Sequence, residues 1–118
     1  MGKEEFDRAD RVGQKLQEIL GRLLLRQIDD PRLRQVEITD VELSPDLRNA
    51  KVYFVLIGED AASRDEAAQG LEHALGYIKR EVADRLDTKY VPEIDFRFDE
   101  TLEEARRIEE ILDEVDTD

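Results

Sequence analysis

The stretch His73–Leu86, HALGYIKREVADRL, decides how the chain divides into elements. Ala74, Leu75, Ile78, Val82 and Leu86 keep helical spacing, yet Gly76 stands in their midst. Gly inside a helix costs about 1 kcal/mol relative to Ala. Two readings are open. The helix breaks there, because Gly leaves helical φ/ψ most readily. Or Gly76 lets another part of the chain pack tightly against the helix.

Working outward, Ala67, Ala68 and Leu71 extend the pattern back to Ser63. Ser63 reads as an N-cap, with Glu66 three residues on in capping-box position. The region runs to Asp87. Downstream, Tyr90-Val91-Pro92 opens a strand in which Ile94, Phe96 and Phe98 alternate with Glu93, Asp95 and Arg97. That alternation is a half-buried strand, and Pro92 suits its start. Thr101 then caps an acidic helix, Leu102 to Val115, whose apolar side is Ile108, Ile111, Leu112 and Val115. That side suggests a structural role, and Asp116-Thr117-Asp118 is expected to fray.

Upstream, Ala50 to Ile57 is nearly all apolar and reads as a strand buried on both faces. Val36 to Leu43 shifts phase around Thr39-Asp40, which predicts a bulge or bend. Ser44-Pro45-Asp46 is turn chemistry that joins the two into a hairpin, ended by Gly58-Glu59-Asp60. The first segment, about Glu4 to Ile28, is a helix with Val12, Leu16, Ile19, Leu20 and Leu23 on one face. It stops at Asp29-Asp30-Pro31, since a residue before Pro is pushed from the α region. Three strands with helices on one face make a small α+β domain, residues 1–118, with no repeat or linker.

The 118 residues carry 31 acidic and 18 basic side chains, a net charge of −13. The excess is uneven. Asp99–Asp118 holds ten acidic residues and two Arg, whereas Met1–Arg34 holds eight basic and seven acidic. Net charge alone therefore does not exclude RNA. With no Cys there is no disulfide framework or thiol chemistry. No apolar run approaches the roughly 18 residues of a membrane span. The charged start MGKEEFDRADR lacks a signal-peptide core, so a cytoplasm is the expected location.

Catalysis finds little support. The single His, His73, has no obvious partner and reads as a surface or boundary residue. No Walker or Rossmann loop appears. Asp99, Glu100, Glu103 and Glu104 favour a helix N-terminus and lack a Ca²⁺-site pattern. We expect no enzyme, no metal site and no cofactor. Basic residues instead form patterns. Arg8, Arg11, Lys15, Arg22 and Arg26 make a stripe on the first helix, interrupted by Glu18. It is either a solvated face with i, i+4 pairs or a phosphate-contacting ridge. Arg32, Arg34, Arg48 and Lys51 lie in or beside loops, and Lys79, Arg80, Arg85 and Lys89 follow Gly76. All are candidate RNA-phosphate contacts.

Several blocks in order resemble the ribosome-binding factor A family. They are RADRVGQKLQEIL, DDPRLRQVEITDVELSPDLRNAKVYF and HALGYIKREVADRLDTKYVPEIDFRFDETLEEARRIEEIL, from about Arg8 to Leu112. The resemblance implies a type-II KH-like fold. Ordinary KH domains clamp nucleic acid with a GXXG loop, which this sequence lacks. The family carries an Ala-x-Gly kink instead, and Ala74-Leu75-Gly76, followed by Tyr77, matches it. That implies two helices meeting at a kink, with RNA contact there. A Gly76→Ala change should then straighten or strain the kink, at a cost on the order of 1 kcal/mol or more if φ is positive there.

The resemblance further implies an assembly factor that binds the free small (30S) ribosomal subunit late in maturation. Such a factor assists 5′ end processing of the 16S rRNA precursor and leaves with help from a small-subunit-dependent GTPase. A monomer is the default. Two alternatives stay open: a KH-like module for another RNA, and an acidic protein–protein adaptor. The acidity fits a high-salt cytoplasm, where a Debye length of ~3 Å at 1 M salt mutes repulsion. It also fits a tail that binds a basic ribosomal protein or competes with RNA.

Overall fold

The computed structural model describes residues 2–58 and 63–116. The chain end at Thr117-Asp118 and the Glu59-Asp60 end of the hairpin lie outside them. The described elements are α1 (Gly2–Arg22), β1 (Val36–Leu43), β2 (Asn49–Leu56), α2 (Arg64–Arg85), β3 (Glu93–Phe98) and α3 (Glu100–Asp116). A π-helical turn, Leu23–Gln27, continues α1, and a 3₁₀ turn, Pro31–Leu33, precedes β1.

β2 is the central strand, antiparallel to β1 and parallel to β3. A tight turn joins an antiparallel pair, but a parallel pair needs a long crossover, and α2 supplies it. The register slips between Ile38 and Asp40, placing the expected bulge at Thr39. The alternation of β3 holds, with Ile94 buried and Glu93, Asp95 and Arg97 exposed. Burial of β2 on both faces holds in part. Ala50, Val52 and Phe54 are buried on one face and Val55 on the other, where Lys51 is exposed.

Both long helices cover one face of the sheet. Leu16, Ile19, Leu20 and Leu23 of α1 meet Ile78 and Val82 of α2, Ala50 and Val52 of β2, and Ile94 of β3. Leu24, Leu33, Phe54, Ala67 and Leu71 form a second cluster at one end. Each large side chain so buried contributes about 1.5–3 kcal/mol.

The expected regular helix to Ile28 is modified in its last turn. Ile28 N–H donates to the Leu23 carbonyl at 2.9 Å, five residues back. The widened turn buries both Leu23 and Leu24 and turns Leu25 outward, 79% exposed.

The expected end of a helix near Leu75 is not found. α2 runs as one helix from Arg64 to Arg85, so Ala74–Tyr77 marks no break between two helices. The apolar face through Ala67, Leu71, Ile78 and Val82 is buried against one continuous core, which outweighs the propensity cost of one Gly. Gly76 permits no close packing either. It is exposed, and a Cβ there would meet only the Arg80 guanidinium, at 4.0 Å. The tight glycine is Gly70. A Cβ on it would stand 2.9 Å from Leu33 Cδ2 and 3.2 Å from Arg32 Cβ.

Caps follow the side chains. The Ser63 hydroxyl accepts the Glu66 amide at 3.2 Å. Asp99, rather than Thr101, caps α3. Its Oδ1 accepts the Leu102 amide at 3.1 Å, while Oδ2 accepts the Thr39 hydroxyl at 2.8 Å. Thr101 already lies within the helix. The described apolar side chains of α3 do not join the core: Ile108, Ile111 and Leu112 are all more than half exposed, and the Val115 side chain lies outside the described ones.

Candidate nucleic-acid interface

Phosphate contacts need cations that are both exposed and free to leave their present partners. The structure sorts the candidates on that basis. Arg32 is committed. Its Nε and Nη2 donate to the Asp30 carboxylate at 3.1 and 2.8 Å, and its amide donates at 3.0 Å. Those bonds, the guanidinium first, hold the Asp30 carboxyl below its usual range. Lys79 meets Glu93 at 2.8 Å. Arg85 meets Glu81 at 3.3 Å and donates to Gln27 Oε1 at 3.1 Å. Arg34 lies 3.6 Å from Asp29, a loose exposed pair.

Arg8, Arg11, Lys15, Arg22, Arg26, Arg48, Lys51, Arg80 and Lys89 differ. All are exposed, and among the described residues none has a carboxylate within ion-pair distance. The α1 stripe is thus a run of exposed cations without ion pairs among the described residues.

The elements that carry part of this set meet at one end of the sheet. A Cβ at Gly13 of α1 would stand 3.4 Å from the Val41 carbonyl and 3.8 Å from Leu43 Cβ. The N-terminal half of α1, with Arg8, Arg11 and Lys15, therefore lies over the far end of β1. From that end the chain turns through Ser44–Arg48. The Arg48 carbonyl accepts the Glu93 amide at 2.8 Å, which ties the turn to the approach to β3. Lys89 and Tyr90 sit on that approach. Arg22 and Arg26 lie toward the other end of α1, near Gln27, which accepts the Tyr77 hydroxyl at 3.2 Å. Tyr77 is thus engaged rather than presented. Arg80 stands on the outer side of α2, apart from the loops.

The Ser44–Arg48 turn is closed by several bonds. The Ser44 carbonyl accepts the Leu47 amide at 2.8 Å, and Asp46 Oδ1 accepts the Ser44 hydroxyl at 2.6 Å and the Arg48 amide at 3.1 Å. The serine bond, then the amide, lowers the Asp46 pKa. Leu47 takes φ 63°, a left-handed conformation rare outside Gly, and its side chain is buried.

Sequence reasoning missed Tyr90, which it placed inside a strand. The ring is 53% exposed, and Arg48 Cζ and Lys89 Nζ stand 5.2 and 5.4 Å from its centroid. The signal was an aromatic beside Lys89 and just before Pro92. Among the described residues no group of His, Asp and Glu could hold a metal ion, and no helix is long and apolar enough to cross a membrane.

The β1–β2–α2–β3 core with α1 packed on the same face defines a KH-like α+β domain with a cation-bearing end. Residues 8–112 match the family described as Ribosome-binding factor A, and the chain belongs to that family. It is 44% identical over 108 residues to a ribosome-binding factor A of Halothermothrix orenii, covering 92% of this chain and 88% of that one. Against the Chromohalobacter salexigens protein of the same description it is 41% identical over 115 residues, covering 97% and 88%.

The fold is similar to the crystal structure of ribosome-binding factor A from Thermus thermophilus, at TM-score 0.68 and 21% identity over 76% of this chain and 93% of that one. It is also similar to the form of the Thermus thermophilus protein fitted into a cryo-electron-microscopy map of a 30S complex, at TM-score 0.52 and 25% identity, covering 70% and 89%.

Proposed function

We propose that this protein is a non-catalytic assembly factor that binds the free small (30S) ribosomal subunit. In this reading it assists late maturation of 16S rRNA, including 5′ end processing of the precursor. Membership of the ribosome-binding factor A family supports it. The observation that supports the contact surface is the set of exposed cations Arg8, Arg11, Lys15, Arg48, Lys51 and Lys89, without an ion-pair partner among the described residues and borne by elements that meet at one end of the sheet, in a chain of net charge −13. Local cations reach phosphates at close range, while the acidic remainder limits nonspecific RNA binding.

The protein acts by binding one rRNA conformation better than its competitors, which shifts the equilibrium without chemistry. It works as a cytoplasmic monomer and leaves with help from a small-subunit-dependent GTPase. Sedimentation with free small subunits, assembled ribosomes and protein-free rRNA tests this. Preference for the free subunit is expected. Equal binding to protein-free rRNA would favour a KH-like module for other RNA. No binding to any of them would leave the adaptor reading, for which the exposed Ile108, Ile111 and Leu112 of acidic α3 are the motivating feature.

A further inference from the structure

Tyr90 is the aromatic residue that the fold leaves unexplained. Phe54 and Phe98 pack edge to face at 5.6 Å. Tyr53 and Tyr77 donate their hydroxyls to Glu42 and Gln27. Tyr90 stays half exposed, and its hydroxyl has no partner among the described residues. Its backbone is nevertheless held: the Thr88 hydroxyl donates to the Tyr90 carbonyl at 2.8 Å, and Pro92 is fully buried. Tyr90 is thus fixed at its base and half exposed, with Arg48 and Lys89 as the two cations that stand over its ring.

Two cations flank that ring, and neither has an ion-pair partner among the described residues. Their separate loops are tied by the Arg48 carbonyl and the Glu93 amide. The turn before Arg48 is bent through Leu47 in a conformation Leu rarely adopts, held by burial of its side chain. Packing, rather than local preference, therefore sets where Arg48 stands. A ring face beside two available cations matches a nucleotide: a base to stack and a phosphate to pair. An acidic peptide would use the cations but has no need of the ring.

We propose that Tyr90, Arg48 and Lys89 form a clamp for one unpaired nucleotide of RNA. Tyr90 takes the base face, and Arg48 and Lys89 take the adjoining phosphate. This deepens the proposed function and rests on its reading of RNA as the partner. It supplies the contact that a GXXG loop makes in ordinary KH domains from a different part of the fold.

The test compares Tyr90→Leu with Tyr90→Phe, and Arg48→Gln with Lys89→Gln, on free small subunits and on protein-free 16S rRNA. Circular dichroism and melting confirm folding, which exposed side chains should not disturb. Loss of stacking in Tyr90→Leu should weaken binding between about fivefold and about a hundredfold at unchanged salt slope. Tyr90→Phe should stay within about twofold of the parent. Each Gln variant should reduce the salt slope by about one. Equal binding by Tyr90→Leu and the parent overturns the clamp while leaving the assembly-factor reading in place. A Tyr90→Phe as weak as Tyr90→Leu also overturns it, because the hydroxyl would then be the contact. Tyr90-dependent binding to protein-free rRNA without binding to subunits supports the clamp and removes the assembly-factor reading. Binding to neither RNA source overturns both.

Discussion

Glu93 divides its two ends between two cationic residues. Its amide donates to the Arg48 carbonyl at 2.8 Å, and its carboxylate holds the Lys79 ammonium at 2.8 Å. One bond positions a free cation and the other occupies a candidate one. Glu93→Gln keeps the first and weakens the second. The Glu93 side chain is 74% exposed, so the pair contributes at most about 1 kcal/mol. Stability should hardly change, while Lys79 becomes available to phosphate. The salt slope of binding to free small subunits should steepen by about one. An unchanged slope would place Lys79 out of reach of RNA.

The two glycines of α2 should respond oppositely to Ala. At Gly76 a Cβ enters open space on a continuous helix, so Gly76→Ala should stabilise the protein by about 0.5–1 kcal/mol. At Gly70 a Cβ meets Leu33 and Arg32, and the packing strain of about 1–3 kcal/mol exceeds the propensity gain. Urea unfolding of both variants checks the contrast. A destabilised Gly76→Ala would restore the break that the continuous helix excludes.

That contrast shows where the sequence was legible. Periodicity reports which side of an element is apolar, so the cores of α1 and α2, the Thr39 bulge and the alternation of β3 could all be read. It does not report what stands opposite a glycine. Gly76 attracted attention because it interrupts an apolar run, whereas Gly70 lies under the Pro31–Leu33 turn, a contact made through tertiary folding. Likewise the basic residues were visible as a list, but the carboxylates that occupy Arg32, Lys79 and Arg85 come from a turn, the first residue of β3 and a neighbouring helix position. The apolar side of α3 misled in the other direction, since an amphipathic pattern requires a partner surface but does not name one.

Acid should loosen the two carboxylate-centred turns. In the folded protein the Asp30 and Asp46 carboxyls both titrate below the ordinary carboxylate range, held there by bonds to Arg32 and to Ser44 and the Arg48 amide. A depressed folded pKa gives stability that is present above the unfolded value and lost as pH falls below it. The stability difference between the parent and Asp30→Asn should therefore be largest near neutral pH. It should shrink as pH drops below about 4. The same holds for Asp46→Asn. Thermal melts of parent and variants across this range measure it, and a difference that grows on acidification would contradict the assignment.

Truncation after Glu104 should leave the domain folded. The described side chains beyond it, Ala105, Ile108, Glu109, Ile111 and Leu112, are all exposed. The melting temperature should fall by less than about 4 °C, the shift that ~1 kcal/mol produces in a domain of this size. The cut also removes six acidic residues and two Arg, so subunit binding at low salt should tighten. Global unfolding would show that α3 does pack on the domain.

The central claim is that unpaired cations at one end of the sheet, rather than total charge, carry binding to the free small subunit. Two triple variants with equal charge change test it most directly. One replaces Arg11, Arg48 and Lys89 with Gln. The other replaces Arg34, Arg64 and Arg97, each with a carboxylate within ion-pair distance. Both are sedimented with purified free small subunits at one salt concentration. The account predicts that the first loses binding by at least about tenfold while the second stays near the parent. Equal loss in both, or retention in both, would contradict it.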